Sequence, residues 1–397
     1  MNKALNIFLV FFQSLVIVFN FIQKEDQISQ LAESFLLGKT YFIQKPLSWF
    51  DTSFFNELYF LPSGIFPVLF LMPFVFIFQN LGLIFFQGYV QPLLVAGVFV
   101  TVYTLSRKLN FSKLDSMFWS FAFCFSTVFV GVSLLPATWS FTQVVSTLLL
   151  FLIIYGIVQK FPPLILGTLV GMAAATRFTT IGIAVLILFL ILTAPKNNLS
   201  LKIKKVILFA IPIIFWLTVI FFYNYVRFGN ILETGYGYPV LEIAGVNMAR
   251  GYGMFSPIHL PGNLYLFLLS TPLIIFKDNI SHVLSFPFVK ANPWGMSIFI
   301  TSPIFLKLFF LKHKDDLSKA ILVSVVIIAI PIFLYYGVGV RQMGYRYSLD
   351  FLPLLFWLLM RNYNVDRKTL STRFKYLILV SSILNLYFFM TTYVYEL

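Results

Sequence analysis

Five of the fourteen acidic residues, Glu25, Asp26, Glu33, Asp51 and Glu57, fall between Gln23 and Pro62. Carboxylates take protons from hydroxyls or orient them, and they do so best where water is scarce. Asp26 stands just past the apolar run from Ala4 to Ile22. A carboxylate at such a helix end, close to lipid, is poorly solvated, so Asp26 is a candidate base or anchor for a hydroxyl, the alternative being a solvated interfacial charge like Lys24 and Glu25 beside it. Glu33 lies in ISQLAESFLLG, where Ile28, Leu31 and Phe35 recur at helical spacing. That segment predicts an amphipathic helix lying on a membrane, with Glu33 on its polar face. Asp51, Glu57 and Tyr59 precede the Leu61-Pro62-Ser63-Gly64 break. Either acid would order the loop or contact a polar substrate.

The arginines supply the opposite charge. Arg177 sits in AAATRFTT, Arg227 and Tyr236 in NYVRFGNILETGYGYP, and Arg250 in MARGYGMFSP. Arg341, Arg346 and Asp350 lie together in GVRQMGYRYSLDFLP. Guanidinium groups hold phosphate bidentately. Arg346 and Asp350 are also spaced to pair with each other on one helix face. Tyrosines such as Tyr236 stack on sugar rings and equally form interfacial belts. His259 and His282 lack metal-ligand spacing, so no metal site is predicted and any need for a divalent metal stays open. Nucleotide loops, dinucleotide fingerprints, HExxH and GxSxG are missing from the sequence.

The elements that must position these residues follow from composition. The 397 residues are 59% hydrophobic and 11% charged, with mean hydropathy +0.90. Soluble domains carry about 25% charged residues. The chain reads as an all-α, polytopic integral membrane bundle. Its net charge of +14 is read as positive-inside bias, not as nucleic-acid binding. The lone Cys124 allows no disulfide within the chain.

Predicted spans cover 4–22, 90–106, 115–133, 138–158, 204–224, 295–311, 319–337, 349–360 and 375–394. The apolar stretch 162–194 reads as two short helices, because one long helix would bury Arg177 in lipid. Residues 63–86, broken by Pro67 and Pro73, are expected to dip in and return. Were they to span, the basic turn at Arg107, Lys108 and Lys113 would face outward, against the charge rule. Residues 263–276 are expected to form an interfacial or re-entrant helix. The result is about eleven spans in one membrane domain, 1–397, with no separate soluble domain. Its first outer loop is 23–89, carrying juxtamembrane helices. The N-terminus would be cytosolic, its first span a retained anchor. The polar loops 23–62, 225–262 and 338–349 then converge on the outer face.

Several segments in order resemble one family. LAESFLLG, then D…F.N.LYFLPSG with its Pro-interrupted apolar run, then GTLVGMAAATRFTT, YNYVRFGNILETGYGY and GYRYSLDFLPLLF, are similar to the GT-C membrane glycosyltransferases. The nearest type is glycosyltransferase family 39, which includes protein mannosyltransferases and aminoarabinose transferases. The resemblance implies transfer of a sugar from a polyprenyl-phosphate donor to an envelope acceptor, at the outer face of a bacterial plasma membrane. It places the catalytic base at Asp26, with further loop acids at Asp51 and Glu57. Phosphate would be held by Arg177, Arg341 or Arg346, with Arg346 first. The chain departs from the family where LPATWSFTQ lacks an acid and where an outer C-terminal domain is missing. A non-catalytic relative serving envelope assembly is the alternative, as is a lipid or solute transporter. Transporters place ionisable groups within their spans, and this sequence has almost none there.

Overall fold

The computed structural model describes residues 2–46, 51–195, 198–241, 244–367 and 369–395. The chain begins with α1 (Asn2–Ile22), α2 (Gln27–Leu36), strands β1 (Ser53–Phe55) and β2 (Leu58–Phe60), and α3 (Phe66–Asn80). It continues through α4 (Gln91–Lys108), α5 (Lys113–Phe125), α6 (Phe129–Ser133), α7 (Thr138–Val158), α8 (Pro163–Thr176), α9 (Ala184–Thr193) and α10 (Leu199–Phe228). A long connection holds α11 (Ala244–Arg250), α12 (Leu260–Leu268), β3 (Leu273–Phe276), β4 (Leu284–Lys290) and α13 (Ile298–Thr301). The last helices are α14 (Asp316–Leu334), α15 (Leu352–Asp366) and α16 (Thr372–Tyr393).

Among the described residues, six helices are long and apolar enough to cross a membrane: α1, α4 with its preceding turn, α7, α10, α14 and α16. The apolar α3, α8 and α9 are shorter. Helices α5, α7 and α15 are buried nearly all round, whereas α10 and α1 expose Ile, Val and Phe along their outer faces. A helix apolar all round belongs inside a bundle or against lipid.

The helix ends collect at two poles. At one, Ser112 caps α5, Asp315 caps α14 and Ser371 caps α16. Lys375 pairs there with the buried Asp115, and Arg361 with Asp315 at 3.0 Å. The opposite pole, called here the Arg346 end, gathers the polar loops. Asn20 donates to the Ser133 carbonyl at 2.8 Å, and Gln91 donates to Leu135 at 2.9 Å. Gln87 accepts from the Ile28 amide at 3.0 Å and donates to the Pro136 carbonyl at 2.6 Å. These bonds satisfy backbone groups at the start of α2, at the end of α6 and in the turn before α7, which no helix pairs. The segment from Gly64 to Gln87 therefore leaves and rejoins the bundle at the same pole. Gly64 marks its departure: a Cβ there would lie 2.3 Å from the Ala175 carbonyl oxygen.

Several expectations need correction. Two antiparallel hairpins, β1–β2 and β3–β4, interrupt the helical pattern. Asn56 and Glu57 form the first turn with φ 46° and 64°, the twist a two-residue hairpin requires. The expected helix 263–276 is α12 followed by β3. Residues 115–133 break into α5 and α6, because Ser126 bonds the Ile378 carbonyl and the Val128 amide bonds Ser302.

Candidate functional site at the Arg346 end

Site geometry starts from Gln27, the first residue of α2. Its amide donates to Thr52 at 3.1 Å, and its carbonyl oxygen accepts from Thr138 at 2.7 Å. Asp51 is thereby fixed beside the start of α7. The next residue of α7, Trp139, lies 5.4 Å from the Arg346 guanidinium. Three further bonds hold the β1 strand to the loop after α10. Thr52 accepts from Val240, the Phe54 amide donates to Tyr238, and Ser53 donates to Gly235. That loop delivers Tyr236 to the same place.

Arg346 opens a 3₁₀ turn, Arg346–Asp350. The expected pair with Asp350 does not form. In a 3₁₀ turn, residues three apart eclipse, and a residue four on points elsewhere. Asp350 is fully buried and bonds Arg177 instead, Nε to Oδ1 at 2.5 Å, with Thr179 on its other oxygen. Arg346 retains 9% of its surface, and among the described residues its Nε and Nη1 meet no protein acceptor. Its neighbours are rings: Trp139, and Tyr347 at 5.1 Å. The Arg177 guanidinium reaches the same Tyr347 ring at 5.3 Å. Gly339 passes over Arg346, where a Cβ would lie 3.1 Å from Nε. Beside the guanidinium is a small cavity of about 10 Å³ edged by Gln342 and Tyr393.

Asp51 faces this pair of cations. Burial lifts its carboxyl above the ordinary range, and the charges of Arg346 and Arg177 act against that rise. No ion pair to Asp51 closes among the described residues, yet the acid lies near enough for the charges of both arginines to act on it. Tyr236 lies within reach of the same groups, with 38% of its surface exposed. Its hydroxyl is held up by burial and then by the nearby Asp51 and Tyr347. Tyr336 joins the group from the loop after α14. Its hydroxyl feels burial first, then the hydroxyl of Tyr335, Arg250 and Asp51. Tyr336 also walls a second cavity of about 220 Å³, shared with Ala249, His259, Trp294 and Val338.

The other expected residues scatter. Asp26 is half-buried. Its carboxylate accepts from Gln30 at 2.8 Å, and burial raises it, with that bond pulling the other way. Its charged neighbour is Glu25, and neither Arg346 nor Arg177 is among the groups that act on it. Glu57 projects from the hairpin turn into the open. Tyr59 packs against Phe54, ring to ring at 4.9 Å. Arg227 is buried and structural. It donates to the Leu61 carbonyl and Asn224, each at 2.8 Å, and lies 3.7 Å from the Tyr223 ring. Arg250 donates to the Gly237 carbonyl, pinning the Tyr236 loop. Arg341 is exposed, over Tyr393 at 5.8 Å. Among the described residues, no three of His, Cys, Asp and Glu come together as a metal site.

Comparison of the chain with family models, curated proteins and solved structures finds no match. Sequence reasoning reached Asp51, Arg177, Tyr236, Arg346 and Asp350. It missed Trp139, Thr179, Tyr336 and Tyr347. Tyr347 adjoins Arg346 and was within reach; Trp139 lies in the first turn of α7, in the segment LPATWSFTQ that is notable in the sequence only for lacking an acid.

Proposed function

We propose that this chain is a multi-pass membrane glycosyltransferase of the GT-C type. It moves a sugar from a polyprenyl-phosphate donor to an envelope acceptor. In this account about eleven spans, short helices included, cross a bacterial plasma membrane, and the Arg346 end faces outward. The observation that carries the proposal is the Arg346 guanidinium, nine-tenths buried with two nitrogens unbonded. A buried guanidinium that keeps ring contacts but leaves donors unbonded loses free energy. Retaining it makes sense where an anion supplies the missing acceptors during function. A phosphodiester fits the fork of donors, and Arg177, already oriented by Asp350, stands close enough to share its charge.

Asp51 replaces Asp26 as the favoured base, because it alone of the loop acids faces the arginines. Its carboxylate takes the proton from an acceptor hydroxyl. The hydroxyl oxygen bonds the anomeric carbon, the bond from that carbon to the phosphate oxygen breaks, and the electron pair leaves on the phosphate. Arg346 balances the charge that develops there. The tyrosines Tyr236, Tyr336 and Tyr347 offer faces and hydroxyls to a sugar between acid and cations. The cavity behind Tyr336 supplies the acceptor's approach.

Binding of polyprenyl phosphate alone, without any sugar, tests the phosphate seat in purified protein. Arg346→Gln is expected to weaken binding by at least about tenfold, the effect of roughly 1.4 kcal/mol. Arg341→Gln, on the exposed flank, is expected to leave binding unchanged. Equal affinity in wild type and Arg346→Gln removes the proposal's main support.

A further inference from the structure

The β3–β4 hairpin carries a set of exposed apolar side chains outside the long helices: Ile274, Phe276, Leu284, Phe286 and Phe288. Phe286 is 62% exposed and Phe288 50%. Leu273 pairs with Lys290 and Ile274 with Val289, but the next pairing is Phe276 with Leu284. Residues 285–288 therefore bulge from the ladder. Phe288 sits in this bulge at φ 68°, a left-handed conformation that a bulky residue holds only under constraint.

The constraint comes from α16. The Tyr387 hydroxyl shares its one proton between the carbonyls on both sides of Phe288, those of Pro287 and Val289. The Phe286 ring packs edge-on to Tyr395 at 5.3 Å and to Phe288 at 5.9 Å. The Ala291 amide bonds Thr391. This clamp fixes depth. α16 has 22 residues, about 33 Å at ~1.5 Å per residue, which matches a hydrocarbon thickness of about 30 Å. Tyr387 lies six residues before its last residue, Tyr393, or about 9 Å inside. Ile383 and Leu384, both exposed, are four and three residues earlier and share its face. The hairpin thus continues the apolar outer face of a candidate span, below that span's end.

We propose that the hairpin seats in the bilayer at the boundary of hydrocarbon and headgroups, with the lipid surface as its partner. Phe276, Phe286 and Phe288 enter the boundary, and Tyr387 locks them there. Lys277, Asp278 and His282, exposed at the turn, remain among headgroups and water. Tyr concentrates at this level of a membrane, and Phe on an apolar face buries into the headgroup boundary, while the bulge keeps the strand edge from offering a flat template. The inference rests on α16 crossing the membrane and not on any catalytic activity.

The test uses the full chain in single-copy nanodiscs, with bimane on single cysteines and a nitroxide lipid as quencher. The buried Cys124 is left in place. Leu384→Cys reports whether α16 meets lipid, and Glu57→Cys reports open water. Labels at Phe286→Cys and Ile274→Cys are expected to be quenched on the scale of Leu384→Cys and several-fold more than Glu57→Cys. Adding Tyr387→Phe is expected to lower quenching at Phe286→Cys. Quenching at the Glu57 level, with iodide in the water quenching both hairpin labels, overturns the proposal. So does shielding from both quenchers, which points to a covering protein partner. No change on adding Tyr387→Phe overturns the clamp.

Discussion

Asp51 is a carboxylate raised by its burial and lowered by the two cations it faces. As a base it works only when charged, so transfer rises with pH through its folded value. Arg346→Gln removes one lowering charge, and the acidic limb of the pH–rate profile is expected to move to higher pH. A limb that stays put while the rate falls would assign the titration to another group. Residue types at the site were legible in the sequence; their pairing was not. Arg346 and Asp350 look like partners at helical spacing, but a 3₁₀ turn separates them and Arg177 arrives from far away in the chain. Asp26 looked favourable because it follows a span closely. Its bond to Gln30 depends on where α2 begins, and Asp51 gains its place through Gln27 and Thr52. Such contacts between distant segments leave no local pattern.

At the scale of elements, two contacts are open to direct test. The Gly64 approach to Ala175 brings the first outer loop against the end of α8, next to Arg177. Gly64→Ala is expected to cost about 1–3 kcal/mol, because the opposing atoms are backbone and cannot rotate away. Thermal unfolding in detergent measures it, and an unchanged midpoint would show that the approach is not needed. Asp315 caps α14 at the other pole. Burial alone would raise its carboxyl, but the bonds from Arg361 and Ser318 prevail and hold it well below the usual range. A depressed value stabilises the fold above the ordinary carboxylate pKa of about 4, and that gain is lost as pH falls toward the folded value. Asp315→Ala is expected to cost about 1 kcal/mol at neutral pH. The gap from wild type should narrow in acid; a gap constant with pH would mean that the charge contributes nothing. The long helices were readable because about 20 apolar residues in a row leave little choice. The hairpins were not, since Phe, Ile and Leu favour a strand and a buried helix alike.

At the scale of the whole molecule, the polar loops meet at one pole with Arg177, Arg250 and Arg346, while Arg361 and Lys375 lie with the helix starts of α5, α14 and α16 at the other. That convergence was legible from charge asymmetry and loop length together. The seats of individual side chains within it were not. Cysteines at Glu57 and Ser200, both exposed and at opposite poles, test the orientation. In intact cells an impermeant thiol reagent is expected to label Glu57→Cys and spare Ser200→Cys, and the reverse pattern would invert the account. The most direct test is sugar transfer from a panel of polyprenyl-phosphate sugars, using protein reconstituted in liposomes. Asp51→Asn is predicted to lose at least about 100-fold of the rate while Asp26→Asn stays near wild type. Wild-type transfer by Asp51→Asn would contradict the account.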